Sequence, residues 1–419
     1  MMYKQFIDSF KIGSVNKFIS TFVLALCLFF NTKAFSQFEI KSIQPNECDT
    51  TIWFVNIYPG AEIYELEGHS ALRIKTCDYD LAVHYGLFDF NSPNFVYRFV
   101  KGETDYMVGA LPWQLFMEEY TSHERRVVAH KLNLTSAQKE LLIDRLSQNL
   151  KPENRQYRYN YVYDNCATRP LKIVESSVGD TIILGEAESV VGETSFRNIM
   201  RHYHKNYPWY QFGIDLILGN GIDKTITNRE KSFAPVVLDQ QLLDATIGTS
   251  DKKLVVESDV LSDFPAEHAV LPSTPWYFSP FFVCWMLCIV LSVYSLFMVL
   301  KLKRYPRWLL SIIMILNGIV GLLIAFMVFI STHEASSPNL NLLWLNPLYF
   351  IPAVTLWFKF VRKINFYFFL IIFVLLFAVL VLWISGYQSP NPAFIPLVLT
   401  ELLLTGLFLF QNRRICEKN

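Results

Sequence analysis

The stretch YNYVYDNCATRP, residues 159–170, carries a run of alternating tyrosines into a cysteine, at a point where a helix is expected to begin. The tyrosines start two residues earlier and recur with period two, at Tyr157, Tyr159, Tyr161 and Tyr163. This period predicts a strand with four phenol rings on one face. Asp164 or Asn165 is a natural N-cap, which puts Cys166 in the first turn of the following helix and leaves Pro170 early enough to be tolerated. The stretch therefore predicts an α+β fold in which a strand delivers a lone thiol to a helix start.

A cysteine gains reactivity at a helix start. The unpaired N–H groups and the positive end of the helix macrodipole favour thiolate over thiol. The same N–H groups can stabilise an oxyanion. An imidazole is still needed as base and acid, and two histidines lie on predicted strands, His69 in GHSALRI and His84 in VHYG. Adjacent antiparallel strands joined by a turn at TCDYD would bring them together, so Cys166, His69 and His84 are the candidate catalytic residues.

Short alternating segments punctuated by glycine predict further strands upstream of the cysteine. They are TIWFVNIYP (51–59), SALRIKT (70–76), LAVHYGLFDF (81–90) and NFVYRFVKG (94–102). A helix is predicted at LTSAQKELLIDRLSQNL (134–150), where Thr135 and Gln138 form a capping box. Its predicted apolar face consists of Leu141, Leu142 and Leu146.

Composition excludes one class of function. The chain has 419 residues, of which 52% are hydrophobic and 16% aromatic, more than in an ordinary soluble protein. Its 37 basic and 37 acidic side chains give a formal net charge of +0. A nucleic-acid-binding protein is expected to carry a basic patch or an excess of basic residues. A partner of that kind is therefore not predicted.

The N-terminus has the pattern of a secretory signal peptide. Lys11 and Lys17 precede and flank the apolar run FISTFVLALCLFF (18–30), and Ala34 and Ser36 are small residues suited to a cleavage site. This pattern predicts removal of the segment and export of the chain that follows. An uncleaved anchor helix is the alternative, and it exports the same residues.

The C-terminal part of the chain predicts five transmembrane helices. The segment WYFSPFFVCWMLCIVLSVYSLFMVL (276–300) has no charged residue and exceeds the roughly 20 residues that cross the hydrocarbon core of a bilayer. Four further apolar segments follow, at 308–331, 341–358, 364–385 and 391–411. The segment at 341–358 is short and is interrupted by Pro347 and Pro352.

Charge asymmetry orients these helices. Three basic segments fall in alternate loops, KLKRYPR (301–307), KFVRK (359–363) and NRR (412–414). The intervening segments THEASSPNLN and GYQSPN carry no Lys or Arg. Because Lys and Arg concentrate in cytoplasmic loops, residues from about 37 to 275 and the loop around His333 are expected on the opposite, extracytoplasmic side.

Cysteine usage is consistent with one free thiol in the exported domain. Four of the seven cysteines lie in the signal segment, the first membrane helix or the cytoplasmic tail, namely Cys27, Cys284, Cys288 and Cys416. In an oxidising compartment we hypothesise that Cys48 and Cys77 pair, which leaves Cys166 as the odd thiol.

The same residues allow plainer interpretations. A lone cysteine is often a small buried hydrophobic residue, and a Cys/His set can hold zinc. No CxxC or HxxxH spacing is present, so no metal or other cofactor is predicted. Four further histidines of the exported domain are interpreted as surface or structural residues, namely His123, His130, His202 and His204.

Together these motifs resemble a known family. A histidine that opens a strand in GHSALRI, a second one strand later in HYG, and Asn-Cys at a helix start are similar to the circularly permuted NlpC/P60 papain-like enzymes, which include lecithin:retinol acyltransferase. The wider pattern adds WYQFGIDLILG (209–219), NLLWLNPL (341–348), a signal segment and five membrane helices. This pattern resembles the lipoprotein N-acyltransferase family of Bacteroidota over nearly the whole chain.

The resemblance implies a papain-like thiol acyltransferase domain in the periplasm, followed by an all-α bundle of five helices in the bacterial inner membrane. It implies that Cys166 is the nucleophile and His69 its general base, with His84 as the third polar residue, which orients the base or stabilises charge. Ala167 stands where the retinol enzyme usually has an acidic residue. The substrate is therefore not carried over from that relative.

The reaction implied by the family moves a fatty acyl chain from a membrane phospholipid to the cysteine, as a thioester. The acceptor is then the α-amino group of the lipidated N-terminal cysteine of a diacylated lipoprotein. Two alternatives remain open. One is a cell-wall peptidase or amidase of the NlpC/P60 type, with water as acceptor, and the other is a non-enzymatic membrane scaffold with an inert cysteine.

Other polar residues are candidates for lesser roles. Asn165 and Tyr163 lie beside Cys166 and are candidates for substrate binding. The loop before the third membrane segment adds His333, Asn339, Asn341 and Asn346, for which helix capping is the alternative. Glu401 is a charge within the last membrane helix and a functional candidate by default. Asp215 and Asp223 are interpreted as turn or cap residues rather than metal ligands.

The predicted domain boundaries follow from these segments. They are 1–36 for the signal, 37–275 for the exported domain, 276–411 for the membrane domain and 412–419 for the cytoplasmic tail.

Overall fold

The computed structural model describes residues 50–89, 92–248, 252–265, 269–303 and 305–413. Within these ranges the chain forms an N-terminal domain of mixed α and β structure, followed by an apolar helical domain. The predicted α+β class with a helical region behind it is confirmed. The predicted signal segment, Cys48 and the end of the NRR segment lie outside the described residues.

The N-terminal domain is built on an antiparallel sheet of seven strands, with a separate two-stranded ribbon. The strands are β1 (Thr51–Ile57), β2 (His69–Lys75), β3 (Asp80–Phe88), β4 (Asp105–Pro112), β5 (Val127–Leu132), β6 (Gln156–Arg158), β7 (Ile182–Ile183), β8 (Thr246–Ile247) and β9 (Val255–Ser262). The order across the large sheet is β6–β4–β3–β2–β1–β5–β9, and β7 pairs with β8. In β1, Ile52 and Phe54 join one apolar core and Val55 and Ile57 another, so this strand is buried on both faces.

Helices cover both faces of the sheet. They are α1 (Phe95–Lys101), α2 (Trp113–Ser122), α3 (Ser136–Leu150), α4 (Thr168–Val178), α5 (Phe196–Tyr203), α6 (Pro208–Ile217), α7 (Asn228–Lys231) and α8 (Pro235–Leu243). On one face, α3, α4 and α8 contribute Leu142, Leu171 and Leu238 to the core that contains Ile52. On the other face, α2 contributes Phe116.

The helix predicted at 134–150 is present as α3. Thr135 and Gln138 form the predicted capping box, in which each side chain bonds to the backbone N–H of the other residue. Leu142 and Leu146 are buried as expected. Leu141, which was predicted to be buried, is 41% exposed, and Ile143 is buried instead. The apolar face of the helix therefore consists of Leu142, Ile143 and Leu146.

The segment NFVYRFVKG was predicted as a strand and is the helix α1. Asn94 and Gly102 flank this helix, and both have left-handed backbone conformations. An extended strand cannot continue through either residue. The helix buries none of its own side chains. The hydroxyl groups of Ser331 and Thr332 donate to the carbonyls at the end of α1, so it docks on the helical domain. The strand of this region is β4, which the pattern did not predict.

The predicted tyrosine strand is also wrong beyond its first residues, since β6 ends at Arg158. The Asn160 Oδ1 atom accepts hydrogen bonds from the backbone N–H groups of Val162 and Tyr163, at 3.2 Å each, and turns the chain. The rings of Tyr157 and Tyr159 stay neighbours, with centroids 6.4 Å apart, whereas the Tyr161 hydroxyl bonds to Glu67 and the Tyr163 ring packs on Phe196. The Arg169 guanidinium stacks on the Tyr157 ring at 3.6 Å, whereas Tyr163 is exposed.

The helical domain contains α9 (Pro280–Leu300), α10 (Arg307–Phe329), α11 (Phe350–Thr355), α12 (Arg362–Ile384) and α13 (Phe394–Asn412). In the described chain four helices are long and apolar enough to span a membrane, namely α9, α10, α12 with the turn before it, and α13. The predicted span at 341–358 is broken into the short helical turns Leu340–Leu343 and Pro347–Tyr349 and helix α11. Its two prolines lack the N–H groups that a continuous helix needs.

Contacts at its ends indicate that this broken segment also crosses the bundle. Asn339, at its start, donates to the Leu216 carbonyl of the N-terminal domain. Arg362, just beyond its end, bonds to Asn412 at the far end of α13. The opposite end of α13 faces the N-terminal domain, because Asn391 donates to Asp215 there. The segment therefore runs from one side of the bundle to the other, as a fifth span.

A buried ionic cluster joins the two domains. The Asp215 carboxylate accepts hydrogen bonds from Arg197 at 2.8 Å, Arg201 at 3.2 Å and Asn391 of the helical domain at 2.9 Å. Arg197 is fully buried and also binds Asp223 at 2.7 Å. We call these five residues the docking cluster. The interpretation of both aspartates as turn or cap residues is corrected, since they are the counter-charges of buried arginines.

Candidate functional site

The two candidate histidines meet on the central strands. His69 is the first residue of β2, and His84 of β3 pairs in register with Ala71 of β2. Because alternate residues of a strand share a face, His69 and His84 are diagonal neighbours. The His69 Nε2 atom lies 3.0 Å from His84 Nδ1, within hydrogen-bond distance. The predicted meeting of these histidines on adjacent antiparallel strands is confirmed.

Cys166 lies two residues ahead of α4, which begins at Thr168, rather than inside its first turn. The N-cap residue of this helix is Ala167, rather than Asp164 or Asn165 as expected. Asn165 lies two residues earlier, where its Oδ1 atom accepts hydrogen bonds from the N–H groups of Ala167 at 2.9 Å and Thr168 at 3.0 Å. These two amides are therefore already occupied. Of the groups at the helix start, the N–H of Cys166 itself is the one that faces the sulfur.

An irregularity in β3 makes room for the cysteine. Gly86 has φ of +92° and lies where the register between β3 and β4 shifts. This backbone conformation favours glycine. A Cβ atom on Gly86 would lie 3.5 Å from Cβ of Cys166 and 3.5 Å from the Tyr159 ring. The bulge therefore brings the cysteine loop against β3, two residues after His84.

Burial controls the ionisation of the thiol. It raises the pKa of Cys166 to about 11, although hydrogen bonding from the Tyr159 hydroxyl and from the backbone N–H groups of Ser70 and Cys166 opposes the shift. The Glu67 carboxylate raises the pKa further. The resting thiol is neutral at pH 7, which corrects the expectation of a thiolate at this helix start.

Both imidazoles are neutral as well. Burial lowers the pKa of His69 well below its usual value, and the nearby His84 and Arg125 add to the shift. Burial lowers the pKa of His84 to about 4. In the described part of the chain neither ring hydrogen-bonds to Cys166, and His84 Nε2 has no hydrogen-bond partner. Catalytic hydrogen bonds often tighten only when substrate binds, so this resting geometry is compatible with proton transfer.

A small cavity opens on the thiol. Its volume is about 30 Å³, with room for about two water molecules. It is lined by Tyr64, Glu67, Gly68, Tyr159, Tyr161, Asn165, Cys166, Phe233 and Pro235. Four of these nine residues are aromatic, and Glu67, Asn165 and Cys166 contribute polar groups, so the wall is mixed in character.

Glu67 and His204 form a buried ion pair beside this cavity. The Glu67 Oε1 atom accepts hydrogen bonds from the Tyr161 hydroxyl at 2.5 Å and from His204 Nε2 at 2.7 Å. Burial alone would raise the pKa of Glu67, but His204 lowers it overall. Burial alone would lower the pKa of His204, but the Glu67 carboxylate raises it overall. The pair is therefore ionised.

The cysteines of the N-terminal domain divide as the sequence indicated. Cys166 is a free thiol, and Cys77 is disulfide-bonded. Cys48, the partner expected for Cys77, lies outside the described residues.

The candidate binding residues beside the cysteine have internal roles. The Asn165 side chain lines the small cavity, but its Nδ2 atom donates to the backbone carbonyls of Tyr161 and Phe233. Tyr163 is 44% exposed, and its ring packs edge-on against Phe196. The structure thus brings Asn165 to the thiol as a residue that bonds to the start of α4 and leaves Tyr163 outside the cavity.

The candidates in the membrane-domain loop are bonded elsewhere too. His333 Nε2 lies 2.9 Å from the Phe99 carbonyl of α1. Asn339 and Asn341 donate to carbonyls at the end of α6, and Asn346 accepts from the N–H of Leu348. These contacts hold the loop and the two domains together, away from Cys166.

Glu401 is buried in the helical domain, where its Oε2 atom accepts a hydrogen bond from Asn317 Nδ2 at 3.0 Å. Glu401 is thus remote from the thiol and has a polar neighbour rather than a charged one.

Across the described residues, no group of three or more His, Cys, Asp or Glu side chains is close enough together to hold a metal ion.

Three groups at the thiol were not predicted as site residues, namely Glu67, the Ser70 N–H and Tyr159. Glu67 and Ser70 lie within two residues of His69 in EGHS (67–70), and this closeness along the chain was the available clue. Tyr159 was one of four equivalent rings in the period-two pattern. Only the turn made by Asn160 distinguishes it from the others.

Comparison with protein families gives two matches. The model described as the Lnb N-terminal periplasmic domain matches residues 34–201, and the model described as the Lnb transmembrane domain matches residues 272–414. Neither the comparison with curated proteins nor that with solved structures gave a match. Cys166, His69 and His84 all lie within the first matched range.

Proposed function

This chain belongs to the Lnb family, a multi-pass membrane family with a periplasmic domain, and from that premise we propose that it is a lipoprotein N-acyltransferase with Cys166 as its nucleophile. One observation carries the proposal. A free, buried thiol lies against the strands that carry the hydrogen-bonded histidine pair, facing the Ser70 N–H next to His69 and the bulge at Gly86. Its domain is fixed to a membrane bundle. Both substrates of such an enzyme have acyl chains in the bilayer, which supports a location in the inner membrane.

In the first half-reaction the Cys166 sulfur attacks the carbonyl carbon of an acyl ester of a phospholipid, and the thiol proton passes to the His69 imidazole. His84 orients that imidazole through the 3.0 Å contact. We assign stabilisation of the oxyanion to the Tyr159 hydroxyl and the N–H groups of Ser70 and Cys166. The ester C–O bond breaks, the imidazolium returns the proton to the glycerol oxygen, and a lysophospholipid leaves behind a thioester.

In the second half-reaction the α-amino group of a diacylated lipoprotein attacks the thioester carbonyl. The imidazole accepts a proton from the attacking amine and returns it to the departing sulfur. The products are an amide on the lipoprotein N-terminus and the free thiol.

The test uses the full chain in proteoliposomes with a phospholipid that carries isotope-labelled acyl chains and a synthetic diacyl lipopeptide. We expect the label on the lipopeptide amine, and on the Cys166 peptide when the lipopeptide is omitted. Cys166→Ser should abolish both signals. Cys284→Ser is the matched control, since it removes a buried thiol of α9, and it should retain both.

Other outcomes would point to the alternatives. Cleavage of cell-wall peptides, lost in Cys166→Ser while the lipopeptide stays unlabelled, would favour a peptidase. Full rescue of a deletion strain by Cys166→Ser, with unchanged lipoprotein N-termini, would favour a scaffold.

A further inference from the structure

A second, larger cavity lies where the N-terminal domain meets the helical domain. Its volume is about 410 Å³, within the range of 300–1,000 Å³ typical of small-molecule sites. One wall comes from the end of α5 and the start of α6, and the other from the start of α9 and the loop before α13. Most of the first wall lies between the two matched family ranges.

Aromatic side chains indicate the depth of this cavity in the bilayer. Trp209, Trp276 and Tyr277 lie next to its lining residues and are 48%, 70% and 48% exposed. The Trp209 indole N–H donates to the Phe278 carbonyl just ahead of α9. Trp and Tyr concentrate where the hydrocarbon core meets water. The cavity therefore lies at the level of the lipid head groups.

The lining of the cavity is largely apolar, and the few polar groups that it presents are suited to an anion. It contains Lys205, Arg201 and Gln211 but no carboxylate side chain. Helices α6 and α9 both begin at the cavity, so the positive ends of two helix dipoles point towards it. Arg201 is committed to Asp215 and to the loop at Ser389. Lys205 is exposed and forms no ion pair among the described residues, so its charge is available.

Gln211 supplies an unused donor inside the cavity. Its side chain is 7% exposed, and its Nε2 atom has no hydrogen-bond partner in the described chain. The amide cannot turn round, because Gln211 Oε1 lies 2.7 Å from His204 Nδ1 and the His204 imidazolium donates from both nitrogens, to Gln211 and Glu67. The Gln211 NH₂ group is therefore held ready for an acceptor atom of a ligand.

We propose that this cavity binds the phosphodiester head group of a membrane glycerophospholipid, with Gln211 Nε2 and Lys205 Nζ donating to its phosphate oxygens. The assignment of this lipid as the acyl donor rests on the proposed function. The His204 ring and the Glu67 carboxylate are the groups between this cavity and the one that opens on Cys166. The Glu67–His204 pair thus separates a head group anchored at Gln211 from the cavity of the thiol.

The test measures lipid binding by native mass spectrometry of the full chain in detergent, titrated with phosphatidylethanolamine or with diacylglycerol of the same acyl chains. Lys205→Glu and Gln211→Glu should each weaken phosphatidylethanolamine binding by about tenfold or more, because a charge-assisted hydrogen bond is lost and a like charge is added. Diacylglycerol binding should not change. Lys252→Glu is the matched control, at an exposed lysine of the N-terminal domain, and should bind like the wild type.

Three outcomes would overturn the site. They are equal binding of phosphatidylethanolamine and diacylglycerol by the wild type, unchanged phosphatidylethanolamine binding in both variants, and full displacement of the lipid by millimolar inorganic phosphate, which would indicate a phosphate site. Because Lys205 is exposed, its variant does not depend on refolding a buried position.

The same experiment separates this site from the proposed function. Cys166→Ser should bind phosphatidylethanolamine like the wild type while forming no thioester. If the wild type forms no thioester but Gln211→Glu and Lys205→Glu lose lipid binding, the site stands and the function fails. If thioester formation is normal in both variants and binding is unchanged, the function stands and the site fails.

Discussion

The thiol site and the docking cluster are both buried, but they differ in the charge and the hydrogen bonding of their polar groups. In the docking cluster Arg197 bonds to Asp215 and Asp223 and also to the carbonyls of Leu218 and Gly219. At the thiol site the sulfur and the imidazoles are neutral, and His84 Nε2 has no partner.

The difference separates stability from chemistry. A buried polar atom without a partner costs about 1–3 kcal/mol, so structures seldom keep one without a reason. The docking cluster keeps full charges because each has a counter-charge, and it holds the two domains at a fixed distance. At the thiol site the sulfur, His69 and His84 are neutral and can exchange a proton, and this requires some unsatisfied hydrogen-bonding capacity, whereas the charged Glu67 beside them is paired with His204.

The largest effect is expected at the docking cluster. Asp215→Ala leaves Arg197 and Arg201 without a shared carboxylate and should lower the free energy of unfolding by about 3–5 kcal/mol, as for other broken buried ion pairs. Thermal and denaturant unfolding of the full chain in detergent would measure it. Asp144→Ala, at an exposed position of α3, is the control and should change stability by less than about 0.5 kcal/mol. Similar values for the two variants would contradict the role of the cluster.

The opposite pattern is expected for Cys166→Ala. The rate of acyl transfer should fall by at least about a thousandfold, because the attacking atom is gone. Stability should change by less than about 1 kcal/mol, since the sulfur holds no structural contact comparable to those of Asp215. Parallel measurement of turnover and unfolding would check both. If Cys166→Ala lost stability but kept its rate of acyl transfer, Cys166 would be a structural residue rather than the nucleophile.

The neutral thiol predicts a particular pH dependence. With its pKa raised to about 11, Cys166 should react with iodoacetamide about tenfold faster for each unit of pH between 7 and 9, because only the thiolate reacts. Alkylation of the Cys166 peptide, followed by mass spectrometry, would give the profile. The urea-unfolded chain is the control, and its rate should level off above about pH 8.5. A plateau below pH 7 in the folded protein would instead indicate a thiolate–imidazolium pair.

The smallest effect is expected from the lowered pKa of His84. The unfolded chain takes up a proton near pH 6.5, whereas the folded His84 does so only at about 4, so stability falls as pH falls between these values. The unfolding temperature of the wild type should therefore decline more steeply from pH 7 to pH 4 than that of His84→Leu. Parallel slopes would show that His84 ionises normally in the folded protein.

The sequence predicted the parts of this site that depend on local pattern. Alternating strands brought His69 and His84 together, and the Asn165 side chain bonds to the start of α4, because residue period and local side-chain hydrogen bonding act over a few residues. The neutral state of the thiol was not predictable, since it depends on burial by aromatic residues distant in the chain. The docking cluster was missed for the same reason, as Asp215 meets Asn391 only after both domains have folded.

The small cavity above Cys166 has a consequence for covalent inhibitors. At about 30 Å³ it admits a reagent no larger than a few atoms, so a long-chain electrophile must wait until side chains such as the exposed Tyr64 swing aside. The size of the warhead, rather than its intrinsic reactivity, then sets the speed of inactivation. The rates of alkylation of Cys166 by a series of chloroacetamides of increasing bulk would measure how often the entrance opens.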